Sequence, residues 1–295
     1  MTWPDGLRSG RLCLTGCARD LRTDAGGQPV VVDAVALRAE VDRNRGSRLL
    51  ALDVHPNAPG IDDLLDEPVA SGFRAAAERQ LPEHERARTP LFLLLDDLPV
   101  AALISGYAYQ LDPEIGPQIR VPAPPRDLCA GWAGDGTMMA AIDAGEPLPL
   151  AVGPMAPDLA TTDEWAWHDL PPMPPLSMRR RRRLDVWQED CWQIETMFRD
   201  SWVGPDGTET VVHEYAATAS VDPDAHVFLA IAATPKVLPW PECPAAAASA
   251  LRLVQTPVDD LRSRVRSDFT GTSTCTHLND MLRSLADVPA LGAQL

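Results

Sequence analysis

The chain has 295 residues, enough for one large domain or two of ordinary size, and its 45% hydrophobic and 23% charged content excludes wholesale disorder. Its formal net charge is −16 at pH 7, and a surface this acidic repels phosphate backbones, which argues against a nucleic-acid partner. No uninterrupted apolar run reaches the roughly 18 residues of a membrane span, and no signal peptide is visible at the start, so we expect a cytoplasmic protein without membrane contact.

Residues 1–110 have the pattern of a small α+β unit. Runs of β-branched and small residues, separated by Asp, Gly and Pro turns, predict an antiparallel hairpin or meander. The strand-like segments lie near residues 11–17, 30–44 and 49–56, and helical segments follow. We therefore predict a three-stranded antiparallel sheet followed by helices.

Residues 111–178 contain 13 of the 29 prolines, in clusters such as 122–125 and 171–175. Proline lacks the backbone donor that a central strand or a long helix requires. The composition predicts an extended linker with a short ordered piece near residues 127–145.

Residues 179–295 repeat the pattern of the first unit at a constant offset of 180. Six of fifteen positions are identical between residues 30–44 and 210–224, including the pair Val31 and Val32 against Val211 and Val212. An apolar strand ending in proline follows each block, and helices are predicted at 244–254, at 257–267 and from Cys275 onward. The pattern favours a tandem duplication of one α+β unit.

Three places in the second unit carry residues that bind metals. His213 and Glu214 begin a strand, Cys243 lies between a strand and a helix, and Cys275 and His277 lie at the start of the last helix. A helix N-terminus lowers the pKa of a thiol, and two Cys, one His and a carboxylate or second His form a normal zinc set. The alternative is two buried thiols and two surface histidines. The first unit has Asp33 at the position of His213 and no matching cysteines.

The Cys-Thr-His-Leu motif at 275–278, followed by an apolar helix, resembles the end motif of a bacterial family of uncharacterised proteins, where a Gly precedes the Cys. That family also has a His-acidic pair that opens a strand, like His213 and Glu214, and a Cys-Pro like Cys243 and Pro244. The similarity covers residues 179–285, and it implies no activity.

A weaker similarity is to the U-type iron–sulfur cluster scaffolds, which hold zinc or a nascent cluster. The resemblance implies that His213 and Glu214 replace the first Cys and its Asp, while Cys243 and Cys275 are the other two ligands. A His in place of a thiolate shifts the preference toward zinc.

The leading hypothesis is a metal-binding protein, with zinc first and an iron–sulfur cluster second, held by His213, Cys243, Cys275 and either Glu214 or His277. A second hypothesis is a metal-free small-molecule enzyme of the lyase or isomerase type, in which His277 is the general acid/base beside Cys275. A third is an interaction module without catalysis. No motif dictates a substrate, and whether the chain is an enzyme stays open at this point.

Overall fold

The computed structural model describes residues 1–119, 124–161, 163 and 165–295. It confirms an α+β architecture with two antiparallel sheets, one of three strands and one of four. The chain forms two compact units. The first comprises Met1–Ala108 and Pro157–Met178, and the second comprises Tyr109–Ala156 and Arg179–Ala293. Of the last two residues, Gln294 belongs to the first unit and Leu295 to the second. The predicted linker is thus divided between the units, and its residues 120–123, 162 and 164 lie outside the described part.

The first unit is built on the sheet β1–β2–β3. Its strands are β1 (Arg11–Thr23), β2 (Pro29–Asp42) and β3 (Arg48–His55). Along the second half of β2 every second residue is apolar and buried, including Leu37, Ala39 and Val41. This alternation is expected where one face of a sheet covers a core. The core therefore lies between this face and the helices that follow.

The helices of the first unit are α1 (Phe73–Gln80), α2 (Pro82–Ala87), α3 (Pro90–Ile104) and α4 (Tyr107–Leu111), the last of which runs into the second unit. Thr89 caps α3 by accepting the Phe92 N–H, and Pro90 occupies the first turn, where no donor is needed. Leu91, Phe92 and Leu95 pack into the core of the unit.

The segment Pro90–Leu111 is long and apolar enough to cross a membrane by length and composition alone, and 56% of its most apolar window is buried within the protein. It contains Asp96 and Asp97. Those two acidic residues divide the segment into shorter apolar runs. Asp96 is buried and forms an ion pair with Arg74.

The second unit is built on the sheet β4–β5–β6–β7. Its strands are β4 (Met178–Gln188), β5 (Trp192–Val203), β6 (Glu209–Asp222) and β7 (Val227–Val237). The prediction of three strands was wrong for this unit, because the predicted first strand is two. The chain reverses at Glu189, whose N–H donates to the Cys191 carbonyl at 3.0 Å, and β4 and β5 lie on either side of that turn.

The described residues form five further helices of five or more residues: α5 (Thr137–Asp143), a 3-10 helix (Cys243–Leu253), α6 (Leu261–Asp268), α7 (Thr276–Ser284) and α8 (Val288–Gly292). The predicted helix at 244–254 is therefore of the tighter 3-10 type, and the one predicted at 257–267 begins later, at Leu261. The helix predicted from Cys275 onward is α7, with Cys275 as its N-cap residue. Its buried Leu278, Met281 and Leu282 contribute to the core of the second unit.

The two sheets share two register shifts. The pairing of β1 with β2 shifts after Asp20 and Asp33, and that of β5 with β6 shifts after Asp200 and His213. The pairing of β2 with β3 shifts after Glu40, and that of β6 with β7 shifts after Ser220. These shifts lie 180 positions apart; Asp20 recurs as Asp200, whereas Asp33 and Glu40 are replaced by His213 and Ser220. A further shift of the β6–β7 pairing, after Glu214, has no counterpart in the first sheet.

Candidate metal centre

Asp200, His213 and His277 bring one ligand atom each to a single place in the second unit. These atoms all lie within 4.8 Å of one another, and the three side chains form the one such group of three or more ligand-type residues within the described parts of the chain. Asp200 lies on β5 directly opposite His213 on β6, at the point where the register shifts. His277 is in the first turn of α7. Two strands and a helix N-terminus therefore assemble the group.

The two imidazole rings are stacked, with centroids 3.7 Å apart and planes at 16°. His213 is buried in the sheet. The His277 ring keeps some exposed surface, but its Nε2 is buried and has no hydrogen-bond partner among the described residues. Its Nδ1 lies 3.5 Å from the Thr276 hydroxyl. A buried nitrogen without a partner is costly, so its position beside two further ligand-type groups requires an explanation.

Both histidines are held in the neutral form. Burial lowers the pKa of His277 to about 3, and the nearby Arg180 guanidinium adds to this effect. Burial also lowers the pKa of His213 well below its ordinary value, and His277 and Arg180 lower it further, while the Asp200 carboxylate opposes them. A neutral imidazole is the form that binds a metal ion.

Asp200 is held by a buried guanidinium. Arg180, from β4, donates through Nε to Oδ1 at 2.7 Å and through a terminal nitrogen to Oδ2 at 2.8 Å, and both side chains are almost completely buried. A second contact joins Arg180 to Asp280 at 3.4 Å, and the guanidinium lies 5.0 Å from the centre of the Phe198 ring. The fork fixes the orientation of the carboxylate and compensates its charge.

The other predicted ligands do not belong to this group. Glu214 follows His213 on the strand and therefore points to the opposite face of the sheet, where it pairs with Arg199. Cys243 and Cys275 are buried near Tyr215, whose hydroxyl donates to the Cys243 carbonyl at 3.4 Å and also hydrogen-bonds with the Cys275 thiol. Of the predicted set, only His213 and His277 belong to this group, while Cys243 and Cys275 lie together at a second location.

Three thiols share this second location. Cys129, which the sequence did not single out, lies near Cys243 and Cys275. Burial raises the pKa of Tyr215, and each of the three thiols raises it further. Burial raises the pKa of Cys243 to about 12 and that of Cys275 to about 11, so both thiols are protonated at neutral pH. The hypothesis of a metal-free enzyme that uses Cys275 and His277 gains no support from these protonation states, and it stays a prediction.

Sequence reasoning missed Asp200 and Arg180. One signal for Asp200 was present, since the offset of 180 aligns the dipeptide Arg199-Asp200 with Arg19-Asp20. Arg180 lies within a run of five arginines at 179–183. Nothing in that run distinguishes the residue that turns toward Asp200 from its neighbours.

Residues 178–291 match a family described as a protein of unknown function (DUF2889). The match supports the resemblance to a family of uncharacterised proteins. The assignment of the Cys-Thr-His-Leu motif to that family and the similarity to iron–sulfur scaffolds stay predictions. No curated protein and no solved structure matches the chain.

Proposed function

We propose that the second unit is a metal-binding domain that holds a divalent cation, zinc first, through His213, His277 and Asp200. The observation that carries the proposal is the buried Nε2 of His277, which has no hydrogen-bond partner in the described part of the chain. His277 offers a ligand atom within 4.8 Å of one from Asp200 and one from His213. Zn–N and Zn–O bonds are about 2.0–2.2 Å long, so ligand atoms closer than 4.8 Å can share one ion after small side-chain movements.

The donor set decides which metals fit. Two neutral imidazoles and one carboxylate suit zinc, and they are also the set that holds Fe(II) with open positions. An iron–sulfur cluster requires thiolates, and the three thiols near Tyr215 are outside this group. We therefore place zinc before mononuclear iron, and both before a cluster.

The metal content of purified protein, measured by mass spectrometry before and after reloading with Zn²⁺ or anaerobic Fe²⁺, tests the proposal. We expect about one equivalent of metal per chain. The His277→Ala variant should lose it, because one of the three ligands is removed. The His84→Ala variant is the matched control, since His84 lies in the first unit and contacts Thr89.

A Cys243→Ser, Cys275→Ser double variant separates the two ligand sets. If the histidine group holds the metal, the double variant keeps its full content. Metal loss in that variant together with retention in His277→Ala would transfer the site to the thiols. Failure of the wild-type chain to bind either ion above the level of His277→Ala would overturn the proposal.

We also propose that the two units are copies of one duplicated α+β unit. The shared register shifts support this, and so do matching positive φ angles 180 positions apart, at Gly46 (70°) and His226 (51°). In the first unit the position of His213 is taken by the exposed Asp33. We therefore assign metal binding to the second unit alone.

A further inference from the structure

One edge of β2 is open at the end of the sheet. The strand pairs with β1 along its whole length, but β3 pairs only with residues 36–42. On the β3 side, residues 30–34 therefore have no strand neighbour among the described residues. All five are exposed, and three of them are consecutive valines. An open edge with apolar β-branched residues is a template for a further strand.

The same edge of the second unit is covered. There, β7 pairs only with residues 214–222 of β6, and the extended segment 153–156 lies along the part of β6 that remains. The Val211 N–H donates to the Pro154 carbonyl at 2.9 Å, and the Ala156 N–H donates to the Glu209 carbonyl at 2.9 Å. A Cβ at Gly153 would lie 1.8 Å from the Val211 carbonyl oxygen, so only glycine fits this approach.

Identical residues have opposite environments at the two edges. Val211 and Val212 are 1% and 2% exposed, whereas their counterparts Val31 and Val32 are 55% and 46% exposed. The two hairpins also have the same register. Val31 on β2 pairs with Leu21 on β1, Val211 on β6 pairs with Ser201 on β5, and each pair comes directly after the register shift. The Val31 N–H is therefore directed to the open side, as the Val211 N–H is directed to Pro154.

We propose that residues 30–34 of β2 are a docking site for an extended Gly-Pro-containing apolar segment of a partner protein, which adds as an antiparallel strand. The covered edge of the second unit defines this occupant: glycine at the close approach, then a proline that supplies only a carbonyl, then small or apolar residues. A second copy of the chain fits less well, because each copy carries a net charge of −16 and presents the exposed Asp33 at this edge.

Binding of a fluorescent peptide with the sequence of residues 150–157 to the full-length chain tests this proposal by anisotropy. We expect saturable binding to the wild type. Val31→Pro removes the donor on the open side without removing a bond to β1, and should weaken binding about tenfold or more, since a backbone group is left unmatched. Val31→Thr keeps the N–H and the β-branched shape, and should bind like the wild type.

A second peptide makes the test independent of how the variants fold. The same peptide with alanine at the glycine position should not bind the wild-type chain, because its Cβ would overlap the Val31 carbonyl as at Gly153. Equal affinity for wild type and Val31→Pro, or the absence of any binding, would overturn the proposal. Self-association of the wild type in sedimentation experiments that Val31→Pro abolishes would assign the edge to a second copy instead. Neither result depends on the metal.

Discussion

Arg180 and Asp200 form the buried ion pair on which the candidate centre is built. The side chains are 6% and 0% exposed, and two hydrogen bonds join them. Removing one partner of such a pair leaves an uncompensated buried charge, which is far more costly than the pair itself is stabilising.

We predict that Arg180→Ala lowers the free energy of unfolding by about 3–5 kcal/mol, the usual cost of leaving one buried charge alone. Urea denaturation followed by circular dichroism measures it. Arg86→Ala is the control, since the pair of Arg86 with Glu83 is on the surface and its loss should leave the midpoint unchanged. An equal, small effect of both substitutions would show that Asp200 is stabilised by its other neighbours rather than by Arg180.

The two neutral histidines predict a dependence of stability on pH. Their pKa values are lower in the folded chain than the ordinary 6.5, so the unfolded chain binds more protons below that pH. The stability that they contribute is fully present above pH 6.5 and is lost as pH falls toward about 3, the folded pKa of His277. The loss is at most about 1.4 kcal/mol per pH unit for each histidine.

Denaturation of chelator-treated protein between pH 7 and pH 5 measures this effect in a range where most carboxylates stay ionised. His277→Gln should reduce the slope, because glutamine does not titrate. A wild-type stability that is flat over this range, or a slope that is the same in His277→Gln, would contradict the prediction.

At the scale of elements, local patterns predicted most strands and the start of α7. The turn-flanked β-branched runs located β1, β2, β3, β6 and β7, and the last long helix was predicted to start near Cys275, where α7 begins. The hairpin between β4 and β5 was missed because its turn, at Glu189 and Asp190, contains neither the Gly nor the Pro that marks most turns. The sequence on both sides of the turn therefore resembles one strand.

The candidate site was predictable only in part, for a reason that lies in pairing between strands. His213 and His277 stand out as ligand types in the sequence, but Asp200 joins them only because the β5–β6 register places it opposite His213. Spacing along the chain favoured Cys243 and Cys275, whereas the fold directs these thiols to Tyr215. The set of ligands thus depends on the pairing register of β5 and β6, which the spacing of residues along the chain does not reveal.

At the scale of the whole molecule, the second unit is larger than the part that matches the known family. The match begins at residue 178, yet the unit also contains Tyr109–Ala156. That earlier segment supplies Ala130, whose N–H donates to the Thr274 carbonyl at 2.9 Å, and Thr137, whose N–H and hydroxyl both donate to Glu242. It also supplies the strand segment 153–156 that covers β6.

We therefore predict that a fragment of residues 109–295 is more stable than one of residues 179–295. The shorter fragment loses the bonds to Thr274, Glu242 and Val211 and exposes the edge of β6, whose backbone groups would face water and other chains. Thermal denaturation should show a cooperative transition for the longer fragment and a lower, broader one for the shorter. Hydrogen exchange at the Val211 amide, protected by Pro154 only in the longer fragment, locates the difference. Equal transitions and equal protection of Val211 would mean that residues 179–295 suffice to complete the unit.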